Sequence, residues 1–252
     1  MNIDPLAEKH PDISPFAYCM NNPVVFVDPD GRDFGLYIDF EKGTVTVRAT
    51  YYTTNQDKNS ATNATKSWNE QSGKFSYSYT DEKGNKQSLK VNYELNVEVV
   101  TPSEGQTEMG ALNQALSSNT SGEGNVYKVV DDNKLDANTN GTTSQNFIQV
   151  KNSKKDAETG SHEVGHSLGL IHSEKGLMTA SSTDPNRNNN VQSDNVSNTL
   201  NSVGSNRNNP NNVNNPIESG AGRATLHLQG ASNPRAPQTD KGYRKLRNGT
   251  VE

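Results

Sequence analysis

From residue 44 onward, apolar and polar positions alternate often enough to predict a sheet. Val45, Val47, Ala49 and Tyr51 share one face of an extended segment at 44–52, with Thr, Arg and Tyr on the other. Phe75, Tyr77 and Tyr79 repeat the pattern, and residues 81–85 read as a turn. Leu89, Val91, Tyr93, Leu95, Val97 and Val99 then alternate without a break, a long strand with one buried face. Short strands are expected at 125–130 and 147–150. Elsewhere the period is helical: Ala61, Ala64 and Trp68 within 60–70, and Met109, Leu112 and Leu116 within 104–117. A further helix is expected over about 156–169. Val196, Leu200 and Val203 recur at i, i+4 and i+7, with Ser193 or Asp194 able to cap that helix and Gly204 to end it. The Trp and Tyr side chains are read as core and cross-strand packing rather than ligand stacking.

Both ends differ from this middle. Residues 2–33 carry prolines at 5, 11, 15, 23 and 29, which break them into short extended pieces such as Phe16-Ala17-Tyr18 and Val24-Val25-Phe26-Val27. The segment is too small to bury a core alone. Beyond Gly204 the chain reads SNRNNPNNVNNP, an asparagine-rich composition that does not pack. Three regions are therefore expected: 1–33, a domain at 34–204, and a disordered tail at 205–252 with one short strand available at 224–228. Hydrophobic residues make up only 29% of the chain, which suits such a division.

Charge and length remove several function classes. A net charge of -5 gives no electrostatic case for nucleic acid or an anionic membrane. No run approaches the ~20 apolar residues of a membrane span. The first residues, MNIDPLAEKH, lack the cationic and apolar regions of a Sec signal peptide. The single cysteine, Cys19, excludes an intramolecular disulfide and reads as a spectator thiol.

The chemistry concentrates in His162-Glu163-Val164-Gly165-His166-Ser167-Leu168-Gly169-Leu170-Ile171-His172, which holds three of the five histidines. Its spacing is H-E-x-x-H-x-x-G-x-x-H. Residues four apart on a helix share a face, so His162 and His166 can serve one metal ion. At ~100° per residue His172 would point elsewhere if the helix continued. Gly169 is expected to end the helix and let the chain return His172 as third ligand. Three neutral imidazoles leave zinc an open position for water, whose pKa it lowers to about 7. Glu163 is the expected general base, and the expected reaction is peptide-bond hydrolysis.

This run resembles the metzincin metallopeptidases, and HSLGLIHSEKGLM is most similar to their matrixin-type branch. The resemblance implies an α+β domain: a twisted mixed β-sheet, an active-site helix, a methionine turn at Met178 and a closing C-terminal helix near 193–203. It further implies one catalytic Zn2+, a protein or peptide substrate, and an edge strand that pairs with that substrate, for which 125–130 and 147–150 are both candidates. Ala180 stands where some members carry a tyrosine, so no tyrosine assistance is expected. Residues 179–185 are expected to border the substrate pocket.

DPLAEK, SPFAYCMNNPV and FVDPDGRD resemble the end of the RHS repeat-associated core, which precedes variable toxin domains. That resemblance implies a toxin cargo from about residue 34, secreted or delivered to a target cell, and a cognate immunity protein. Asp136-Ala137-Asn138-Thr139-Asn140-Gly141 matches the start of a calcium loop, but Phe147 stands where such loops place a bidentate glutamate. A polar surface loop is expected there, with a weak Ca2+ site as the alternative. His10 and His227 are expected to be spectators. Two other functions compete: a non-catalytic structural or binding domain with a structural metal, and a non-peptidase zinc amidohydrolase with a closed pocket.

Overall fold

A computed structural model describes residues 33–80, 84–144, 146–155, 157–201, 224–229 and 250–252. The sheet is built around β2 (Thr44–Thr53). Its side chains alternate so that Val45, Val47, Ala49 and Tyr51 are all buried on one face. One edge of β2 pairs in parallel, over its whole length, with β4 (Lys86–Val99). The other edge is shared. Its first half pairs antiparallel with β1 (Phe34–Asp39), and Thr50–Tyr52 pair in parallel with the start of β5 (Gly124–Val130).

These parallel pairings need crossovers, and the helices supply them. α1 (Lys58–Asn69) lies between β2 and β4 in sequence, and α2 (Glu108–Ser117) between β4 and β5. The second crossover runs back past β2 in the opposite direction, so one handedness puts the two helices on opposite faces. Neighbouring residues confirm it. Tyr51, Tyr127 and Ile148 join the main core with α1, whereas Tyr52, Val126 and Phe147 join a smaller cluster with Leu112 and Leu116 of α2. The turn of α2 begins four residues later than the sequence predicted, because Thr107 caps it, its Oγ1 accepting the Gly110 N–H at 3.0 Å.

The sheet continues from β5 to β7 (Phe147–Lys151), parallel, and from β7 to β6 (Gly141–Ser144), antiparallel. On the other side β3 (Ser76–Thr80) pairs antiparallel with β4. The result is a mixed, branched sheet of nine strands among the described residues, in an α+β arrangement. β6 is the end of the row beyond β7. Neither strand expected at the substrate edge is one: β5 lies between β2 and β7, and β7 between β5 and β6. Among the described residues, β6 is the strand at that end with no partner on its outer side.

Several sequence expectations shift. Val99 is exposed, so the buried face of β4 ends before the strand does. β1 was not foreseen, although Phe34, Leu36 and Ile38 alternate and are all buried. The Asn-rich tail contributes β8 (Ala224–Gln229), parallel to β1, and β9 (Thr250–Val251), antiparallel to β3. The short strand expected at 224–228 is thus present as β8, and the expectation of a disordered tail fails at 250–251, which pairs with the edge of β3. α4 (Ser193–Asn201) starts where expected, but neither Ser193 nor Asp194 caps it, since both fall inside it; Gln192 precedes it and donates its N–H to Asn195 Oδ1. Val203, Gly204 and the RHS-like segment 2–32 lie outside the described residues.

Trp68 joins the layers. Its ring is fully buried, stands 5.8 Å from that of Tyr93 on β4, and donates Nε1–H to Ser161 O at 2.8 Å. Trp68→Phe should cost about 1–2 kcal/mol through the lost indole hydrogen bond. Trp68→Ala should cost about 3–5 kcal/mol through the cavity. Urea unfolding of the full chain, followed by circular dichroism, reads both.

Candidate metal centre

α3 (Ala157–Ser167) carries the motif, and its rear is fixed at three points. Ser161 O accepts from Trp68, Ser161 Oγ donates to Ala64 O at 3.1 Å, and Ser167 Oγ bonds the Tyr51 hydroxyl at 2.8 Å. Val164 and Leu168 are fully buried on the same side. Gly165 permits the closest approach. A Cβ there would collide with Met178 Sδ and come within 2.9 Å of Trp68 Cζ2. Met178, fully buried, thus lies against α3 between the two histidine turns.

The helix stops as the glycine predicted. Gly169 has φ +82°, with its N–H on His166 O at 3.0 Å and the Leu170 N–H on Gly165 O at 3.1 Å. This paired closure is the Schellman arrangement, which satisfies the last carbonyls and turns the chain. Leu170 is thereby buried, and its carbonyl accepts from His166 Nδ1 at 2.8 Å. Leu177 O accepts from His162 Nδ1, also at 2.8 Å.

Those two bonds decide the chemistry of the rings. A carbonyl can only accept, so each Nδ1 holds a hydrogen and each neutral ring turns an Nε2 lone pair inward. The two Nε2 atoms stand 3.1 Å apart. Two lone pairs so placed repel unless a cation lies between them. An added proton would bridge these two nitrogens; a metal ion would draw on a third as well. His172 supplies it: its ring centroid is 5.3 Å from that of His162 and 4.9 Å from that of His166, and one ligand atom from each residue lies within 4.8 Å of the others. Tetrahedral zinc, with Zn–N bonds of about 2.0–2.1 Å, spaces its ligand nitrogens by about 3.3 Å. The donor set fits. Burial, with the repulsion that a protonated His166 would add next, pushes the His162 imidazole down to about 3, so it stays neutral near pH 7.

Glu163 is buried beside this cluster and points to β6. Thr143 Oγ1 lies 2.8 Å from Glu163 Oε2 and 2.9 Å from Glu163 O. Burial pushes the carboxyl up to about 7; the Thr143 bond and the Arg187 charge pull the other way. Arg187 is nearly buried, holding Glu158 through Nε at 2.8 Å and Thr179 O through Nη1 at 2.7 Å. A cleft of about 900 Å³ is lined by residues 137–143 on one side, by 180–183 with Arg187 on the other, and by the three histidines and Glu163. Asn140 Nδ2 reaches across to Ser182 Oγ at 2.9 Å.

The structure therefore brings together His162, Glu163, His166 and His172, with Gly169 and Met178 shaping their support. Sequence reasoning missed Thr143, Gly141 and Arg187, whose roles arise only across long separations. In the loop that starts like a calcium site, Lys151 Nζ donates to Asp136 O at 2.6 Å and to Ala137 O at 3.3 Å, tying the loop to β7. Phe147, at the twelfth position, is buried in β7. His227 lies on β8 opposite Tyr37 of β1, outside the cluster; His10 and Cys19 lie outside the described residues. No helix among the described residues is long and apolar enough to cross a membrane.

No family model matches the chain, and no curated protein matches it.

Loss of any one of the three histidines should weaken metal retention, for which zinc is the probe. After dialysis, His166→Ala and His172→Ala should retain on the order of a tenth or less of the wild-type zinc by elemental analysis. Gly165→Ala should weaken retention too, because Met178 and Trp68 must move.

Proposed function

We propose that the chain is a zinc-dependent endopeptidase, the toxin cargo of an RHS-type system. The observation that carries the first half is the donor geometry: inward Nε2 atoms 3.1 Å apart, a third histidine beside them, and a buried carboxylate next in sequence. His162, His166 and His172 would hold the metal. A bound zinc would supply a Lewis acid and bring the pKa of a water in its open position to about 7. Glu163 accepts a proton from the water that attacks the scissile carbonyl carbon. As the C–N bond breaks, Glu163 returns that proton to the leaving amine nitrogen. A carboxyl near 7 suits both halves of the exchange at neutral pH.

The substrate is a protein or peptide, and its extended chain adds to the free side of β6. Met178 is the residue of the methionine turn, and the metzincin assignment rests on it and on the motif together. The RHS reading rests on residues 2–33 alone; it carries with it delivery to a target cell and an immunity protein held by the producer. A purely structural metal is disfavoured because the three histidines border an open cleft, whereas such sites close the fourth position with protein. One contact favours hydrolysis of a small amide instead: Asn140 to Ser182 bridges the two sides of the cleft. Ser182 is exposed and Asn140 half-buried, and a single exposed hydrogen bond is worth only about 1 kcal/mol, so an extended substrate can part them.

Glu163→Gln should keep zinc and lose about 100-fold or more of the rate on casein, by fluorescent-peptide release from the full chain. A wild-type protein that holds zinc and cleaves neither casein nor target-cell lysate would overturn the peptidase reading.

A further inference from the structure

β6 contributes more than an edge. Thr143 is buried, and its hydroxyl has one hydrogen to share between Glu163 Oε2 and Glu163 O. The ionised carboxylate is the stronger acceptor. Two residues back on the same face, Gly141 leaves the space that Glu163 fills. A Cβ there would stand 2.8 Å from both Glu163 Cγ and Oε1 and 3.0 Å from Cδ. One strand thus holds one oxygen of the carboxylate and makes room for the other. Rotation about the last torsion of a glutamate is broad, so a single directed bond selects its orientation.

We propose that Thr143 is the positioning residue that fixes the Glu163 carboxylate from β6, leaving Oε1 for proton exchange. The inference rests on the hydrolase reading above for its catalytic meaning, and on geometry for the contact. It ties the general base to substrate docking. Lys151 donates its N–H to Asn140 O, so 140 and 151 form a hydrogen-bonded pair in the β6–β7 ladder. By antiparallel alternation Thr142 and Ser144 also face β7, whereas the main-chain groups of Gly141 and Thr143 face the free side. An extended peptide that pairs with β6 therefore docks on the two residues that hold Glu163.

The test compares full-length wild type, Thr143→Val, Thr143→Ser and Glu163→Gln, each with zinc content and melting temperature measured. Thr143→Val should keep zinc and lower kcat on the order of tenfold with KM nearly unchanged, and Thr143→Ser should restore most of it. In a Glu163→Gln background Thr143→Val should lower the residual rate no further. A second readout needs no turnover. With 13C-labelled glutamate, the Glu163 Cδ resonance, identified by its loss in Glu163→Gln, should shift in Thr143→Val and stay in place in Thr143→Ser. An unmoved resonance in Thr143→Val, or equal damage from Val and Ser, overturns the proposal. If Thr143→Val fails to fold, Thr143→Ala takes its place under the same criteria. If wild type cleaves no peptide, the hydrolase reading fails, and the resonance alone decides the Thr143 contact.

Discussion

Two main-chain carbonyls determine what the histidines can do. Leu170 O and Leu177 O each take an Nδ1 hydrogen, at 2.8 Å, and so dictate which nitrogen of each ring faces inward. Each bond contributes only about 1 kcal/mol to stability. Its larger effect is to remove the tautomer that would put a hydrogen into the metal position. Both carbonyls come from the chain just after α3. One is delivered by the left-handed turn at Gly169, the other by the turn in which Gly176 O accepts Thr179 Oγ1 at 2.9 Å. The motif and the turns behind it form one unit, and His172 lies between them.

That unit is held by the sheet at a distance. β2 sends Tyr51 to Ser167, α1 sends Trp68 to Ser161, and Tyr127 of β5 reaches Ser60 of α1 at 2.8 Å. Each is a buried polar contact between elements far apart in sequence, within an otherwise apolar core. Such contacts are directional, whereas apolar packing tolerates sliding, so they set where α3 lies as well as how firmly. The two crossovers matter for the same reason. By sending α1 and α2 to opposite faces they leave the α3 side of β7 and β6 open, and the cleft forms there.

Much of this was legible in the sequence, and the reasons differ by feature. The histidine cluster was legible because metal chemistry restricts residue type and helix geometry restricts spacing. β2 and β4 were legible because one face is buried and the other is not, which writes the period directly into Val45 to Tyr51 and Leu89 to Leu95. β6 was not legible. Gly-Thr-Thr-Ser has no apolar period, and what buries Thr143 is Glu163, twenty residues later. Arg187 was hidden for a similar reason, since its partners Glu158 and Thr179 O are set by folding. β8 was visible as a short alternating run at 224–228, whereas the two-residue β9 is too short to carry a period. The Lys151 contacts to the Asp136 and Ala137 carbonyls were hidden too, because β7 lies well beyond that loop in sequence.

Lys151 has a consequence for how the loop before β6 keeps its shape. Many extracellular enzymes brace a substrate rim with calcium and lose that brace in a cytosol, where free calcium is scarce. Here the brace is a covalently attached ammonium on β7, reaching the carbonyls of Asp136 and Ala137 next to β6. It neither dissociates nor competes with magnesium, and it has no concentration dependence. The rim beside Gly141 therefore carries its own fixed cation as part of the chain.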